Sequence, residues 1–212
     1  MGGNSALRQT VGGTQVSNLI AAIVLAAGKS ARLGRPKQLL ELEGRPLLQH
    51  VIDAVADSSV DEIIVVLGHE AERIEGSIEL PPHGRVVLNP SFGQGQSTSV
   101  RRGLVAVGRD ADAAVFLVGD QPRIRGEIID QVIQAWMASP LPVARAYFNG
   151  TPGHPVVVAR SGWDAFKAPR GDAGGREAMD AGAVEVLEVE FEMEPLEDID
   201  TWADFHRIER GS

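Results

Sequence analysis

A chain of 212 residues, 43% apolar and 23% charged, can build one domain around a continuous core, and this composition excludes disorder throughout. The formal net charge of -9 argues against a nucleic-acid partner, and the lack of cysteine removes disulfides, thiolate zinc sites, iron–sulfur clusters and cysteine nucleophiles. The apolar runs are too short to span a bilayer and the first residues lack a secretion-signal pattern, so the expectation is a cytoplasmic chain with no membrane partner.

Residues 1–18, rich in Gly, Ser, Thr, Gln and Asn, are expected to form a flexible leader, with a single domain over 19–210. Leu19 to Ala26 reads as a strand buried on both faces, ended by Gly28 and a polar loop to Lys37. Pro46 to Ala56 reads as a helix with Leu47, Leu48, Val51, Ile52 and Val55 on one face. Glu62 to Leu67 is a second strand, Glu70 to Glu75 a short helix and Arg85 to Leu88 a third strand. Ser97 to Val107 is a helix, Ala113 to Val118 a fourth strand and Arg125 to Met137 an amphipathic helix. Val143 to Phe148 and Pro155 to Ala159 read as strands joined through Asn149 to His154. Ser161 to Ala168 and Arg176 to Ala181 are short helices around a loop at Gly171 to Gly175. Val184 to Val189 is a strand, and Thr201 to Arg210 a terminal helix capped by Asp200 or Thr201.

This alternation predicts an α/β fold, a three-layer α/β/α Rossmann-like arrangement with a mostly parallel sheet. Ligands in such sheets sit at the carboxyl ends of the strands, which selects the loops after residues 26, 67, 88 and 118. In the first of these, Gly28 and Gly34 allow backbone N–H groups to converge on phosphate, and Lys29, Arg32, Arg35 and Lys37 concentrate positive charge. The spacing matches neither the P-loop nor the dinucleotide fingerprint.

The stretch from Leu25 to Lys37 resembles the signature of the MobA-like NTP transferases, most closely the molybdenum cofactor cytidylyltransferases. Leu25-Ala26-Ala27-Gly28 is followed by Ser30, Arg32, Gly34 and Lys37 at the family's offsets, and Gly34 to Leu40 matches the cytidylyltransferase form. The resemblance implies a GT-A-like nucleotidyltransferase that moves CMP from CTP to a molybdopterin-type phosphorylated acceptor, with pyrophosphate as leaving group and Mg²⁺ or Mn²⁺ as cofactor. Its nucleotide site would comprise Leu25, Ala26, Ala27, Gly28, Lys29 and Ser30, with Gly95, Gln96, Ser97 and Ser99 from the Gly-x-Gly-Gln-Ser-x-Ser segment. Lys37, Arg32 and Asp120 would be catalytic, and Asp120 and Asp200 would hold the metal. Asp-Thr before a helix is also an ordinary N-cap, so both roles stay open for Asp200. His154, within Gly153-His154-Pro155, and Arg176, within Gly171 to Arg176, would bind the acceptor. A molybdoenzyme or its chaperone would be the partner. The alternatives are a transferase using GTP or UTP with another phosphorylated acceptor such as a sugar phosphate, and a non-catalytic nucleotide-binding protein that delivers a cofactor. An oxidoreductase is a third, without a flavin or nicotinamide motif to support it.

Overall fold

Short unbroken apolar runs become strands covered on both faces, and turn-rich segments lead from them into amphipathic helices. The computed structural model describes residues 9–11, 14–16 and 18–210. Within the segment read as a leader, β1 (Gln9–Val11) pairs antiparallel with β2 (Thr14–Val16); apart from Asn18, the rest of that segment lies outside the described residues. The domain continues through β3 (Ile20–Leu25), a small ribbon of β4 (Glu41–Leu42) and β5 (Arg45–Pro46), α1 (Leu47–Ala56), β6 (Glu62–Leu67), α2 (Ala71–Glu75) and β7 (Gly84–Leu88). Then come α3 (Gln96–Ala106), β8 (Ala113–Val118), α4 (Gly126–Met137), β9 (Val143–Phe148), β10 (Thr151–Ala159), α5 (Trp163–Lys167), α6 (Arg176–Asp180), β11 (Val186–Phe191) and α7 (Trp202–Glu209).

Seven strands form the main sheet in the order β11–β9–β10–β8–β3–β6–β7. Strand β3 lies parallel between β8 and β6, β6 is parallel to β7, and β11 is parallel to β9. Only β10 is reversed, antiparallel to both β8 and β9. The register aligns Leu25 with Val66 and Val118, so the loops after β3, β6 and β8 leave from one rim. Helices α1 and α4 bury Leu48, Ile52, Val55, Ile129 and Val132 on one face of the sheet; α3, α5 and α6 bury Val100, Leu104, Trp163, Phe166 and Ala178 on the other. This is the expected three-layer α/β/α architecture. Helix α3 rides close on β3 because residue 103 is Gly: a Cβ there would meet Ile23 Cγ2 at 2.5 Å.

Three details differ from the sequence reading. The ribbon β4–β5 was not anticipated, since two-residue strands carry no period to read. Strand β10 begins at Thr151 rather than Pro155, because Asn149 and Gly150 both take positive φ (46° and 76°) and close a two-residue hairpin that pairs Thr151 with Phe148. Strand β11 runs two residues later than expected, to Phe191, whose ring stacks on Phe148 at 5.3 Å.

A third apolar cluster joins Leu33, Leu40, Leu42 and Leu47 to Ile199, Phe205 and Ile208. Each such side chain contributes about 1.5–3 kcal/mol when fully buried. The cluster fastens α7 to the first loop and brings residues 198–201 to the rim from which the loops after β3 and β8 leave. Among the described residues, no helix is long and apolar enough to cross a membrane.

Candidate active site

The loop after β3 is shaped by its own backbone. Ser30 takes φ 53° and Gly34 φ +70°; Leu33 N donates to Ser30 O at 3.0 Å, and Lys37 N donates to Ser30 Oγ at 3.0 Å. Leu33 is buried beneath the loop, while Gly28, Lys29, Arg32 and Arg35 are exposed above it. Gln38 is buried behind, its Nε2 donating to Ala26 O at 2.7 Å, so it pins the end of β3. The rim is crowded where Ala26 meets Gly119: a Cβ on Gly119 would lie 2.8 Å from Ala26 Cβ.

Lys37 draws the chemistry together. Its Nζ donates to Asp120 Oδ2 at 2.6 Å and to Asp200 Oδ1 at 2.8 Å, and Arg32 Nη1 donates to Asp200 Oδ2 at 3.1 Å. Burial alone would lower the Lys37 pKa, but the charges and hydrogen bonds of Asp120 and Asp200 outweigh it, and the ammonium is held above its ordinary range. The hydrogen bond from Lys37 holds Asp200 below the usual carboxylate range. Ile199 N donates to Asp120 O at 3.1 Å, which fixes the two carboxylate-bearing segments side by side. Thr201, not Asp200, is the N-cap of α7: its side chain accepts from Asp204 N in a capping box, leaving the Asp200 carboxylate to Lys37 and Arg32.

A divalent cation fits these residues. Two carboxylates already share one positive centre, and the other oxygen of Asp120, Oδ1, is buried without a hydrogen-bond partner. Among the described residues, no group of three or more His, Cys, Asp or Glu side chains converges as a ligand set. A hard cation that keeps water and substrate phosphate among its ligands needs only one or two protein carboxylates.

Two recesses open beside this centre. The smaller, about 110 Å³, is lined by Leu25, Ala27, Gly28, Phe92, Gln96 and Ser99, with Lys29 Nζ 5.8 Å from the Phe92 ring centre. The larger, about 570 Å³, takes in Asp120, His154 and Arg176. Leu25 and Gln96 line both and form the partition between them. Gly95 takes φ +103°, and a Cβ there would collide with the backbone of Gly171, so only Gly lets the 93–95 and 171–175 loops touch. Ser97 is fully buried and lines neither recess; its Oγ accepts from Arg101 Nη2 at 3.3 Å. Ser99 Oγ accepts from Asn89 Nδ2 at 2.9 Å while lining the smaller recess. Burial pushes the His154 imidazole down to about 4, so it is neutral near pH 7, and its Nδ1 donates to Phe116 O at 3.3 Å. It can therefore accept a hydrogen bond through Nε2 but does not bring charge to a phosphate.

Two residues that the sequence reading did not single out also line the larger recess. Asp198 accepts from Gln121 Nε2 at 2.8 Å, and burial, followed by the charge of Asp120, holds its carboxyl above the usual range. Arg145 is buried on β9. Its signal was present: the two-residue period of Val143 to Phe148 puts Arg145 on the same face as Val143, where a core side chain belongs.

A family model for the MobA-like NTP transferase domain matches residues 22–186. The crystal structure of Rv0371c from Mycobacterium tuberculosis is similar with a TM-score of 0.83 and 27% identity, covering 92% of this chain and 100% of that one. Its complex with manganese matches with a TM-score of 0.78 and 26% identity, over 91% and 98% of the two chains. A nucleotidyl transferase from Methanothermobacter matches with a TM-score of 0.75 and 26% identity, over 92% and 97%. Among curated relatives, the bifunctional protein GlmU of Desulfitobacterium hafniense is 34% identical over 116 residues, 54% of this chain and 25% of that protein, so the chain spans about a quarter of its length. The matched region carries the β3 loop with Lys37, the Gly95 to Ser99 segment, Asp120, His154 and Arg176, and on that match the chain belongs to the family of MobA-like NTP transferase domains.

Proposed function

We propose that this protein is a nucleotidyltransferase that transfers CMP from CTP to a molybdopterin-type phosphorylated acceptor and releases pyrophosphate. The observation that carries the reading is the single ammonium of Lys37 held between Asp120 and Asp200 at the rim of the sheet, beside two recesses. An acceptor phosphate oxygen attacks the α-phosphorus; the new P–O bond forms as the bond to the bridging oxygen breaks, and the electron pair leaves with pyrophosphate. The acceptor oxygen is already ionised, so the protein's task is alignment and charge neutralisation rather than proton abstraction. Lys37 and Arg32 neutralise charge building on the transferring and leaving groups. Asp120 and Asp200 would hold Mg²⁺ or Mn²⁺, which when bound supplies further charge neutralisation at phosphate oxygens. The manganese complex of the Mycobacterium protein supports that choice of cation.

The smaller recess supports a pyrimidine. The Ala27 methyl group takes up room at its wall. Gln96 offers an amide to the base edge.

Pyrophosphate release with CTP, GTP and UTP, with and without molybdopterin and with Mg²⁺ or Mn²⁺, tests the reading. Release that requires CTP, molybdopterin and metal is expected, with Asp120→Asn lowering turnover by far more than it lowers stability. Tight CTP binding without pyrophosphate release would instead make the protein a nucleotide-binding carrier. Release with UTP and a sugar phosphate would move the substrate class.

A further inference from the structure

Arg145 is a charged side chain in a position built for an apolar one. It is 6% exposed, and its register partner Val156 is paired in turn with Phe116, so three adjacent strands present these side chains to the same face. Its Nε donates to Gly153 O at 3.3 Å, and the Tyr147 ring centre lies 5.9 Å from its Cζ. Among the described residues, Arg145 makes no other hydrogen bond and has no carboxylate in salt-bridge contact. Arg176, on the first turn of α6, lines the same recess and likewise has no carboxylate partner among the described residues. Leaving a buried guanidinium unpaired costs several kcal/mol, and a second one facing the same space adds repulsion. Burial holds Arg145 below its ordinary pKa and Arg176 adds to that, while Tyr147 and Asp180, neither in salt-bridge contact, act the other way without offsetting it. Such a cost is sustained where an incoming anion completes the site.

The rest of the recess gives the site a direction. The carboxylates on its wall are Asp120 and Asp198 on the β8 side, and Asp172 on the loop before Arg176. Phe166, Val156 and Met179 make an apolar stretch, and His154 presents an uncharged ring from β10, the strand between β8 and β9. Arg145 therefore stands two strand spacings from β8, on the order of 10 Å.

We propose that Arg145 and Arg176 bind a second anionic group of the acceptor, across the recess from the phosphate oxygen that Lys37 and Asp120 serve. The acceptor is then a phosphorylated molecule with a distinct anionic centre at its other end, spanned by a less polar middle. The anion site stands on Arg145 and Arg176 alone; its assignment to the acceptor rests on the transferase reading above.

Inorganic phosphate and acetate serve as probes of the site in the full-length protein. The side-chain Nε–H resonance of Arg145 is followed by nitrogen-15 NMR, with chloride at matched ionic strength as the control. A saturable shift with phosphate or acetate, absent with chloride, is expected, and the tighter of the two identifies the anion as phosphoryl or carboxylate. Arg176→Gln, at an exposed position, weakens that binding by about tenfold, the worth of one charge-assisted contact. Arg145→Lys, followed through the Arg176 Nε–H resonance, retains charge but loses the fork and weakens binding too, while CTP affinity in both variants stays within about twofold. An Arg145 resonance that responds to chloride as it does to phosphate and acetate, or anion binding unchanged in Arg176→Gln, overturns the site. In the turnover assay, phosphate competes with molybdopterin and not with CTP; competition with CTP alone overturns the assignment to the acceptor. Anion binding with no pyrophosphate release under any condition overturns the transferase reading and leaves the anion site in place.

Discussion

Replacing Lys37 by Met keeps the length of the side chain and removes the charge that two carboxylates share. Charge-assisted hydrogen bonds contribute about 1.5–3 kcal/mol each, but the two partners are unequal. Asp200 is 50% exposed and regains water when Lys37 is lost, so its share is about 0–1 kcal/mol. Asp120 is 19% exposed, with one oxygen already unpartnered, and cannot be fully rehydrated. The loss is therefore about 2–3 kcal/mol, which lowers the melting temperature by roughly 4–12 °C for a chain of this size. If Asp120 is the source, Lys37→Met costs about 1 kcal/mol or less in an Asp120→Asn background, because no stranded charge remains. Urea unfolding of the two single variants and the double variant measures this coupling, expected at about 1.5–2 kcal/mol. In parallel, pyrophosphate release by Lys37→Met falls by about 10²–10³-fold, the cost of losing one preorganised donor at a developing negative charge. Stability effects that add to within about 0.5 kcal/mol would refute the shared-cation argument, and undiminished turnover at saturating CTP would remove Lys37 from the chemistry.

Two further outcomes follow from burial. Folded His154 titrates at about 4 against an ordinary 6.5, so as pH falls the unfolded chain takes up that proton first. Its effect on stability is therefore absent above pH 6.5 and grows as a loss toward pH 4, by roughly 3 kcal/mol in all; His154→Gln flattens the urea-unfolding free energy over that window, and an unchanged slope would contradict it. Phe205→Ala opens the cluster that fastens α7 to the first loop and costs about 3–5 kcal/mol. Below its melting temperature this variant also loses turnover, because Asp200 is no longer held against Lys37, and Phe205→Leu restores most of it; full turnover by folded Phe205→Ala would show that α7 does not position the site.

The central strands were legible because their side chains answer to one local rule. Glu62–Leu67, Ala113–Val118 and Val143–Phe148 are short, mostly apolar runs whose bounds in the structure match the sequence reading. The meeting of Lys37 with Asp120 and Asp200 was legible only through resemblance, since 83 and 163 residues of chain separate the partners. Nothing local to Asp200 distinguishes an ion-pairing carboxylate from a helix cap; the capping box of Thr201 and Asp204 decides it, and that depends on how the chain enters α7. The 93–99 segment offers hydroxyls in its sequence, yet Ser97 turns into the protein, because a helix start does not announce which side will be covered. Arg145 was overlooked for the opposite reason: its place in the two-residue period marked it as an inward-facing charge, and only the neighbouring strands disclose that a recess lies in front of it.

The partition formed by Leu25 and Gln96 keeps two chambers side by side at one rim of the sheet. One chamber is bounded by β3, Phe92 and the start of α3; the other shares Leu25 and Gln96 with it and adds residues of the β9–β10 hairpin and the 171–176 loop, none of which lines the first. With the two chambers assigned as proposed, altering the hairpin would redirect what is modified while the wall of the smaller chamber stays intact, so a single scaffold could diversify along two axes.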